Sequence, residues 1–376
     1  MPSSKADVIE PLDVREPPGR AMGKVADLWK RLDTGKVMCT ACARYCKIGE
    51  GQVGLCGVRG VHGGKLWLYV YGKVISGHVD PIEKKPLIHY RPGSKILSIA
   101  TTGCNWLCRY CQNYDISQRR QVAGIDVEPE DVVKMTLDQG CQGIAYTYNE
   151  PSIFMEFARD IGVAARKAGL INMFVSNGYS TPEAVAEMPK FLDAITVDFK
   201  GSGETEFVRK YIGIPNADPV FDTLRRIRDT KAVHIEITDL VVPQVGDSLD
   251  AARKLSKFVV DELGPDTPVH FLRFHPDYKM MEFPATPVET LERHCDVAKE
   301  EGLRYVYIGN VTGHPLEHTY CPGCGEVAVR RSGFDITGWY LDKENRCKRC
   351  GYQLPIVGTL ERTYKQDRFY SVLYHR

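Results

Sequence analysis

Nothing in the 376-residue chain approaches the roughly 20 consecutive apolar residues that a membrane-spanning helix needs. Charge of neither sign dominates. Lys and Arg total 49 against 48 Asp and Glu, so no global field draws the chain toward nucleic acid or an anionic bilayer. The opening stretch MPSSKADVIEPLDVREPPGR lacks the apolar centre of a secretion signal and reads as a Pro-containing lead. From these absences we expect a cytoplasmic protein with no membrane and no nucleic-acid partner.

Cysteine, by contrast, is plentiful. Thirteen cysteines in a reducing compartment point to metal or redox chemistry rather than to structural disulfides. Eleven of them fall into three groups: Cys39, Cys42, Cys46 and Cys56; Cys104, Cys108 and Cys111; and Cys321, Cys324, Cys347 and Cys350. Cys141 and Cys295 stand alone and are expected as small buried apolar residues.

The patterning divides the chain. KVADLWKRL reads as a short helix, and KLWLYVYGKVISGHV as a hairpin or pair of strands around Gly72. From residue 96 six β-rich runs alternate with amphipathic helical stretches: KILSIATTG, GIAYTYNE, INMFVSNG, AITVDFKG, VHIEITDLVVP and VHFLRFHP. Six β/α units argue for an α/β fold with a parallel sheet and outer helices, a barrel or partial barrel rather than a doubly wound sheet. A seventh run, LRYVYIGNV, is placed to extend or close that sheet. The expected divisions are residues 1–95 (lead, first cysteine group and hairpin), 96–315 (barrel), 316–360 (second four-cysteine module) and 361–376, a tail packing back through its aromatics.

The segment TTGCNWLCRYCQN sets three cysteines as CxxxCxxC just after the first barrel strand. Enzymes built on parallel sheets place their chemistry at the carboxyl ends of the strands. Thiolates at this spacing can hold three irons of a 4Fe–4S cluster, leaving the fourth iron open to a small molecule. The competing reading is a zinc or non-catalytic iron–sulfur site that staples a loop.

With an aromatic, Tyr110, before the last cysteine, the segment resembles the CxxxCxΦC signature of the radical S-adenosylmethionine (radical SAM) superfamily. The resemblance implies a partial (β/α)6 TIM-like barrel in which S-adenosylmethionine chelates the open iron. One electron then cleaves the sulfonium, and the resulting 5′-deoxyadenosyl radical takes hydrogen from a substrate. It also implies roles at the strand ends. YTYNEPS occupies the place of a GGEP-like motif, so Asn149 and Glu150 would receive the methionyl ammonium, with Pro151 shaping the turn. The glycines of the common form are missing there. VSNGY offers Ser176 and Asn177. VDFKG resembles the D-x-K element of pyruvate formate-lyase activating enzymes; Asp198 and Lys200, two apart on a strand, would face one way and grip a zwitterion. RFHPDY presents Arg273 and His275, the latter near adenosine or substrate.

The first cysteine group spaces its members as CxxC, x3, C, x9, C, which suits zinc or a complete second iron–sulfur cluster. CPGCG and CKRCG, 22 residues apart, read as a zinc-ribbon or rubredoxin-like module holding zinc or iron. Over residues 39 to 358 the chain resembles the radical SAM enzyme of the AmmeMemoRadiSam system, related to the activating enzymes. What this implies is an oxidoreductase that uses S-adenosylmethionine and a reductant such as ferredoxin or flavodoxin. Its substrate is unidentified, and a protein modified in a glycyl-radical-activase-like reaction is one form of it. The alternative is a zinc or iron–sulfur binding or electron-transfer protein that does not cleave S-adenosylmethionine.

Overall fold

In the computed structural model, which describes residues 23–360 and 370–374, the chain opens with short strands instead of a helix. β1 (Lys24–Val25), β2 (Trp29–Arg31), β3 (Val37–Cys39), β4 (Lys47–Ile48), β5 (Arg59–His62) and β6 (Lys65–Leu68) build two three-stranded sheets, ordered β1-β6-β5 and β2-β3-β4. The helix expected over KVADLWKRL is therefore overturned. A nine-residue helix gains little on its own, and two competing partners claim its backbone. Trp29 pairs with Cys39 across the β2–β3 ladder. The Glu156 carboxylate accepts the Asp27 and Leu28 N–H groups at 3.0 and 3.2 Å. Arg59 closes the same knot. Its guanidinium pairs with Glu156, with both side chains 1% exposed, and donates from Nε to the Ile153 carbonyl at 2.7 Å. A buried pair of this kind is costly to break from one side, so it fixes the N-terminal region to the body.

The hairpin expected around Gly72 is also corrected. Gly72 does turn the chain with φ +75. The strands beside it, β7 (Lys73–Val74) and β6, do not pair with each other; β7 pairs with Ile125–Asp126 and β6 with β1 and β5. β8 (Ser76–Pro81) then joins the main sheet antiparallel to β9 (Lys95–Ala100).

After β10 (Ile125–Asp126), the expected alternation appears as β11 (Gly143–Tyr146), β12 (Ile171–Ser176), β13 (Ala194–Lys200), β14 (His234–Val241), β15 (Val269–Arg273) and β16 (Val306–Gly309). β9 and β11 through β16 are parallel and in sequence order, so the seventh run extends the sheet by pairing with β15. The sheet is open: β16 forms one edge, and the other is a strand at Tyr370–Tyr374 paired antiparallel to β8. Strands buried on both faces read as continuous apolar runs, and β11 is buried at every position. Helices between strands, among them Pro129–Asp138, Met155–Lys167 and Leu249–Phe258, cover the outside. Gly140 and Gly169 end two of these connections at φ +61 and +76, conformations that cost a residue without Cβ little.

β17 (Thr319–Tyr320), β18 (Val327–Ser332) and β19 (Asp335–Trp339) form a separate antiparallel sheet. Its small core, including Val329, Ile336 and Leu354, packs on Ile88, Tyr305 and Tyr307 of the body. The Tyr307 hydroxyl links the two, 2.7 Å from His89 Nε2 and 2.9 Å from Thr319 Oγ1. The Tyr370–Tyr374 strand, β20, returns the tail to the sheet, with the Tyr370 hydroxyl donating to Gln139 at 3.0 Å. The tail's other aromatics, Tyr364 and Phe369, lie outside the described residues. Cys141 and Cys295 are buried, as expected of isolated cysteines.

Candidate functional site

A cavity of about 500 Å³ opens at the carboxyl ends of the parallel strands. Cys104, Cys108 and Cys111, on the loop leaving β9, line it together. That loop is held by side chains of its neighbours. Asn149 donates to Thr101 Oγ1 at 3.0 Å and to the Gly103 carbonyl at 2.9 Å, and the Cys111 sulfur lies 3.0 Å from Ser117 Oγ. Tyr110 is buried between Phe207 and Phe274, with ring centroids 6.0 and 6.1 Å away. Its ring thus anchors the loop between the second and third cysteines.

Of the other residues singled out in the sequence, Asn149, Glu150, Asn177, Asp198, Lys200, Arg273 and His275 all line this cavity. Ser176 does not; it is buried behind the wall, donating to Glu150 at 2.8 Å and accepting the Gly178 N–H at 3.0 Å. Glu150 in that wall also has partners of its own. Its carboxylate already accepts the Ser152 N–H at 3.0 Å and the Asn177 N–H at 2.8 Å besides Ser176. It ties the end of β11 to the end of β12, and burial raises its pKa in spite of those donors. Asn149 is the open member of the pair: its Oδ1 is buried without a hydrogen-bond partner.

Asp198 and Lys200 share a face of β13 as their spacing requires, with Lys200 Nζ 3.1 Å from Asp198 Oδ2. Thr238 of the adjacent strand donates to the other carboxylate oxygen. Burial works against the Lys200 ammonium, but Asp198 and the Cys108 sulfur outweigh it and hold its pKa above the ordinary value. Arg273 is braced by the Thr286 carbonyl at 2.9 Å, and His275 stands exposed at the rim.

Four contributors escaped the sequence reading. Lys84 and Lys85, just past the antiparallel strand β8, line the cavity, as does Tyr148. Tyr148 adopts φ +69, a conformation costly for a residue with a Cβ, and its backbone is held by Asn113 donating to its carbonyl at 3.0 Å. Its hydroxyl donates to Asp80 at 2.7 Å, and both lysines pair with the same carboxylate. Burial favours the neutral form of Asp80, but the lysines hold it well below the usual carboxylate range. Burial brings Lys85 down to about 8 against the attraction of Asp80. The fourth contributor is Phe334, at the β18–β19 turn, which brings the C-terminal module to the same cavity. The only local hint among these is the YTYNE polar cluster; the rest depends on which strands meet in space.

Burial raises the pKa of all three cavity thiols, Cys108 to about 12. A bound cation would reverse that preference, because a coordinating thiol is deprotonated. Three sulfurs facing one cavity, with Asn149 Oδ1 buried and unpartnered beside them, fit an iron–sulfur cluster with a polar cofactor next to it.

The C-terminal four are arranged otherwise. Cys321 lies 3.5 Å from Cys350, and Cys324 lies 3.8 Å from Cys347, sulfur to sulfur. All four ligand atoms fall within 4.8 Å of one another, and among the described residues no other trio of His, Cys, Asp and Glu ligand atoms does so. A tetrahedral ion with metal–sulfur bonds of about 2.3 Å needs sulfurs about 3.8 Å apart. Two matching turns present them. The Cys321 and Cys347 N–H groups each donate at 2.8 Å, to the Glu326 and Tyr352 carbonyls, and Gly325 and Gly351 turn back with φ +75 and +77.

A family model described as the Radical SAM superfamily matches residues 98–259. An uncharacterized protein of Methanocaldococcus jannaschii is 42% identical over 335 residues, covering 88% of this chain and 99% of its own length. A second protein of that organism, named as a candidate glycyl-radical enzyme activating enzyme, is 23% identical over 46% of this chain and 66% of its own length. Among solved structures, a domain of a pyruvate-formate lyase-activating enzyme from Bacteroides vulgatus aligns with 45% of this chain and 99% of its own, at 17% identity and TM-score 0.39. A radical SAM methyltransferase from Sphaerobacter thermophilus aligns with 58% and 67%, at 13% identity and TM-score 0.46. No helix among the described residues is long and apolar enough to cross a membrane.

Proposed function

The chain belongs to the radical SAM superfamily, and on that premise we propose that its strand-end cavity is where S-adenosylmethionine is reductively cleaved to start a hydrogen abstraction. The family implies a 4Fe–4S cluster and S-adenosylmethionine. The observation that carries the assignment is the opening of Cys104, Cys108 and Cys111 onto one large cavity ringed by polar strand ends. Bound there, such a cluster would supply the single electron that cleavage of the sulfonium to methionine and a hydrogen-abstracting 5′-deoxyadenosyl group requires.

The protein's part is binding, orientation and exclusion of water. Cys104, Cys108 and Cys111 hold the cluster. Asn149 offers its free Oδ1 to the methionyl ammonium. Glu150 in the wall and Ser176 behind it set the shape of that corner, and Asn177 and Tyr110 form the rest of its wall. Asp198 and Lys200 meet the two charges of the amino acid, with Thr238 fixing the carboxylate. His275 and Arg273 stand on the far strand, toward adenosine or substrate. Lys84, Lys85 and Tyr148 supply a polar wall, and Phe334 closes the side facing the C-terminal module. That module holds one tetrahedral ion, zinc, and serves as a brace. The electron comes from a low-potential donor of the ferredoxin or flavodoxin class, and the substrate class is a protein modified in activase-like fashion.

Anaerobic incubation of dithionite-reduced protein with S-adenosylmethionine tests this reading. Formation of 5′-deoxyadenosine and methionine is expected. A fully iron-loaded, reduced protein that leaves S-adenosylmethionine intact would contradict it.

A further inference from the structure

Cys39, Cys42, Cys46 and Cys56 form the wall of a second, small cavity of about 10 Å³, closed on its inner side by Arg59 and Asn105. Three of the four cysteines are buried and Cys46 is partly so. Their sulfurs are not drawn together as the C-terminal four are. No three of their sulfurs lie within 4.8 Å of one another, whereas a single tetrahedral ion needs about 3.8 Å; among the described residues the C-terminal group alone gathers its ligand atoms that closely. Four thiols facing one enclosed space at wider separation suit a body with four metal corners.

The cavity also shares a wall with the catalytic loop. Gly103 and Asn105 flank Cys104. A Cβ on Gly103, which adopts φ +88, would stand 2.4 Å from the Cys56 carbonyl oxygen, so the two cysteine loops touch backbone to backbone. Arg44 Nε donates to the Asn105 carbonyl at 2.9 Å. The Asn105 side chain is fully buried, lines the N-terminal cavity and is bonded to Asn177, which lines the other. The Tyr179 N–H donates to Asn177 Oδ1 at 3.0 Å, which turns Asn177 Nδ2 outward as a donor to Asn105 Oδ1 at 2.7 Å. Asn105 Nδ2 is thereby left facing away from Asn177, buried and without a partner, as is Arg44 Nη2. Both residues line the N-terminal cavity. Unsatisfied buried N–H groups are costly, and sulfurs of an iron–sulfur cluster are acceptors whose hydrogen bonds tune its potential.

We infer that Cys39, Cys42, Cys46 and Cys56 hold a second, fully ligated 4Fe–4S cluster that passes electrons through the Asn105 wall to the cluster at Cys104, Cys108 and Cys111. A reduced ferredoxin or flavodoxin loses one electron to the N-terminal cluster, which hands that electron to the catalytic cluster and returns to its oxidised state. The electron ends in the broken carbon–sulfur bond of S-adenosylmethionine, so the balance closes at one electron per cleavage. The identity of the occupant stands on the N-terminal residues alone, whereas its relay role rests on the function proposed above.

Two measurements on the full chain separate these claims. In a Cys104→Ser, Cys108→Ser, Cys111→Ser variant reconstituted anaerobically, about four irons and four sulfides per chain should remain, with a paramagnetic signal on dithionite reduction. They should vanish when Cys39→Ser and Cys42→Ser are added. Zinc in place of sulfide-bound iron would overturn the inference. For the relay, Cys46→Ser in the otherwise native chain should slow ferredoxin-driven 5′-deoxyadenosine formation at least about tenfold, while dithionite-driven cleavage persists. Equal ferredoxin-driven rates would refute the relay. If this variant does not fold, freeze-quenched native protein decides: the signal insensitive to S-adenosylmethionine should appear first, and the reverse order would overturn the path.

Discussion

Cys104, Cys108 and Cys111 stand in the wall of a cavity of about 500 Å³, whereas Cys321, Cys324, Cys347 and Cys350 face one another with sulfurs 3.5 to 3.8 Å apart in the pairs that meet most closely. One loop leaves a parallel strand and enters a space ringed by side chains of β12, β13, β14 and β15 and of the loops that follow β11 and β16. The other group sits on two turns of a small antiparallel sheet, with its ligands turned inward on each other. On the function proposed above, the same residue type serves reactivity where volume is left beside the sulfur, and stability where none is left.

This contrast can be broken most forcefully at the triplet. Cys108→Ala should abolish 5′-deoxyadenosine formation while the fold, measured by circular dichroism, is kept; full turnover would erase the distinction between the two regions. Cys321→Ala should do the reverse. It removes metal-linked folding free energy on the order of several kcal/mol from the module, yet cleavage per folded molecule should persist. A folded variant that loses only electron uptake would make the module a relay instead of a brace.

A finer probe is Lys200→Ala, which keeps the cysteines and removes one charge of the Asp198–Lys200 pair. S-adenosylmethionine binding should weaken about 10- to 100-fold, which corresponds to about 1.5 to 3 kcal/mol for a charged hydrogen bond. Unchanged affinity would take β13 out of the site.

The smallest expected effect lies at the seam between the regions. His89, buried against Tyr305 and Tyr307, is pushed down to about 3 by burial. The unfolded chain binds a proton there from about pH 6.5 downward while the folded chain does not, so this site's stabilisation is present above that pH and fades as pH falls toward 3. At pH 5 the loss is about 2 kcal/mol, and it should be absent from His89→Gln. Glu83 opposes it in wild-type protein, since burial lifts that carboxyl to about 7. The slope difference between wild type and variant in denaturant titrations is therefore the quantity to compare; equal slopes would remove His89 from the seam's pH response.

The parallel strands were legible because both faces are buried, which leaves continuous apolar runs such as GIAY and INMFVS for β11 and β12. Polar residues at their ends stood out against those runs, and Asn149, Asp198 and Lys200 were recognisable for that reason. KVADLWKRL misled because Glu156, more than a hundred residues away, decides where its N–H groups go. Lys84, Lys85 and Phe334 were invisible for a related reason. The antiparallel strand β8 and a turn of the C-terminal sheet carry them to the cavity, and neither placement leaves a local pattern. Glu150 was recognised by position, but its engagement by three donors became apparent only in three dimensions.

The central claim is an iron beside Cys104, Cys108 and Cys111 that S-adenosylmethionine can reach. Electron–nuclear double resonance on reduced protein, with S-adenosylmethionine labelled with nitrogen-15 at its amino group, addresses that contact directly. Hyperfine coupling between the label and one cluster, lost in Cys108→Ala, is the predicted result. A reduced cluster whose spectrum ignores the labelled cofactor at saturating concentration would contradict the account.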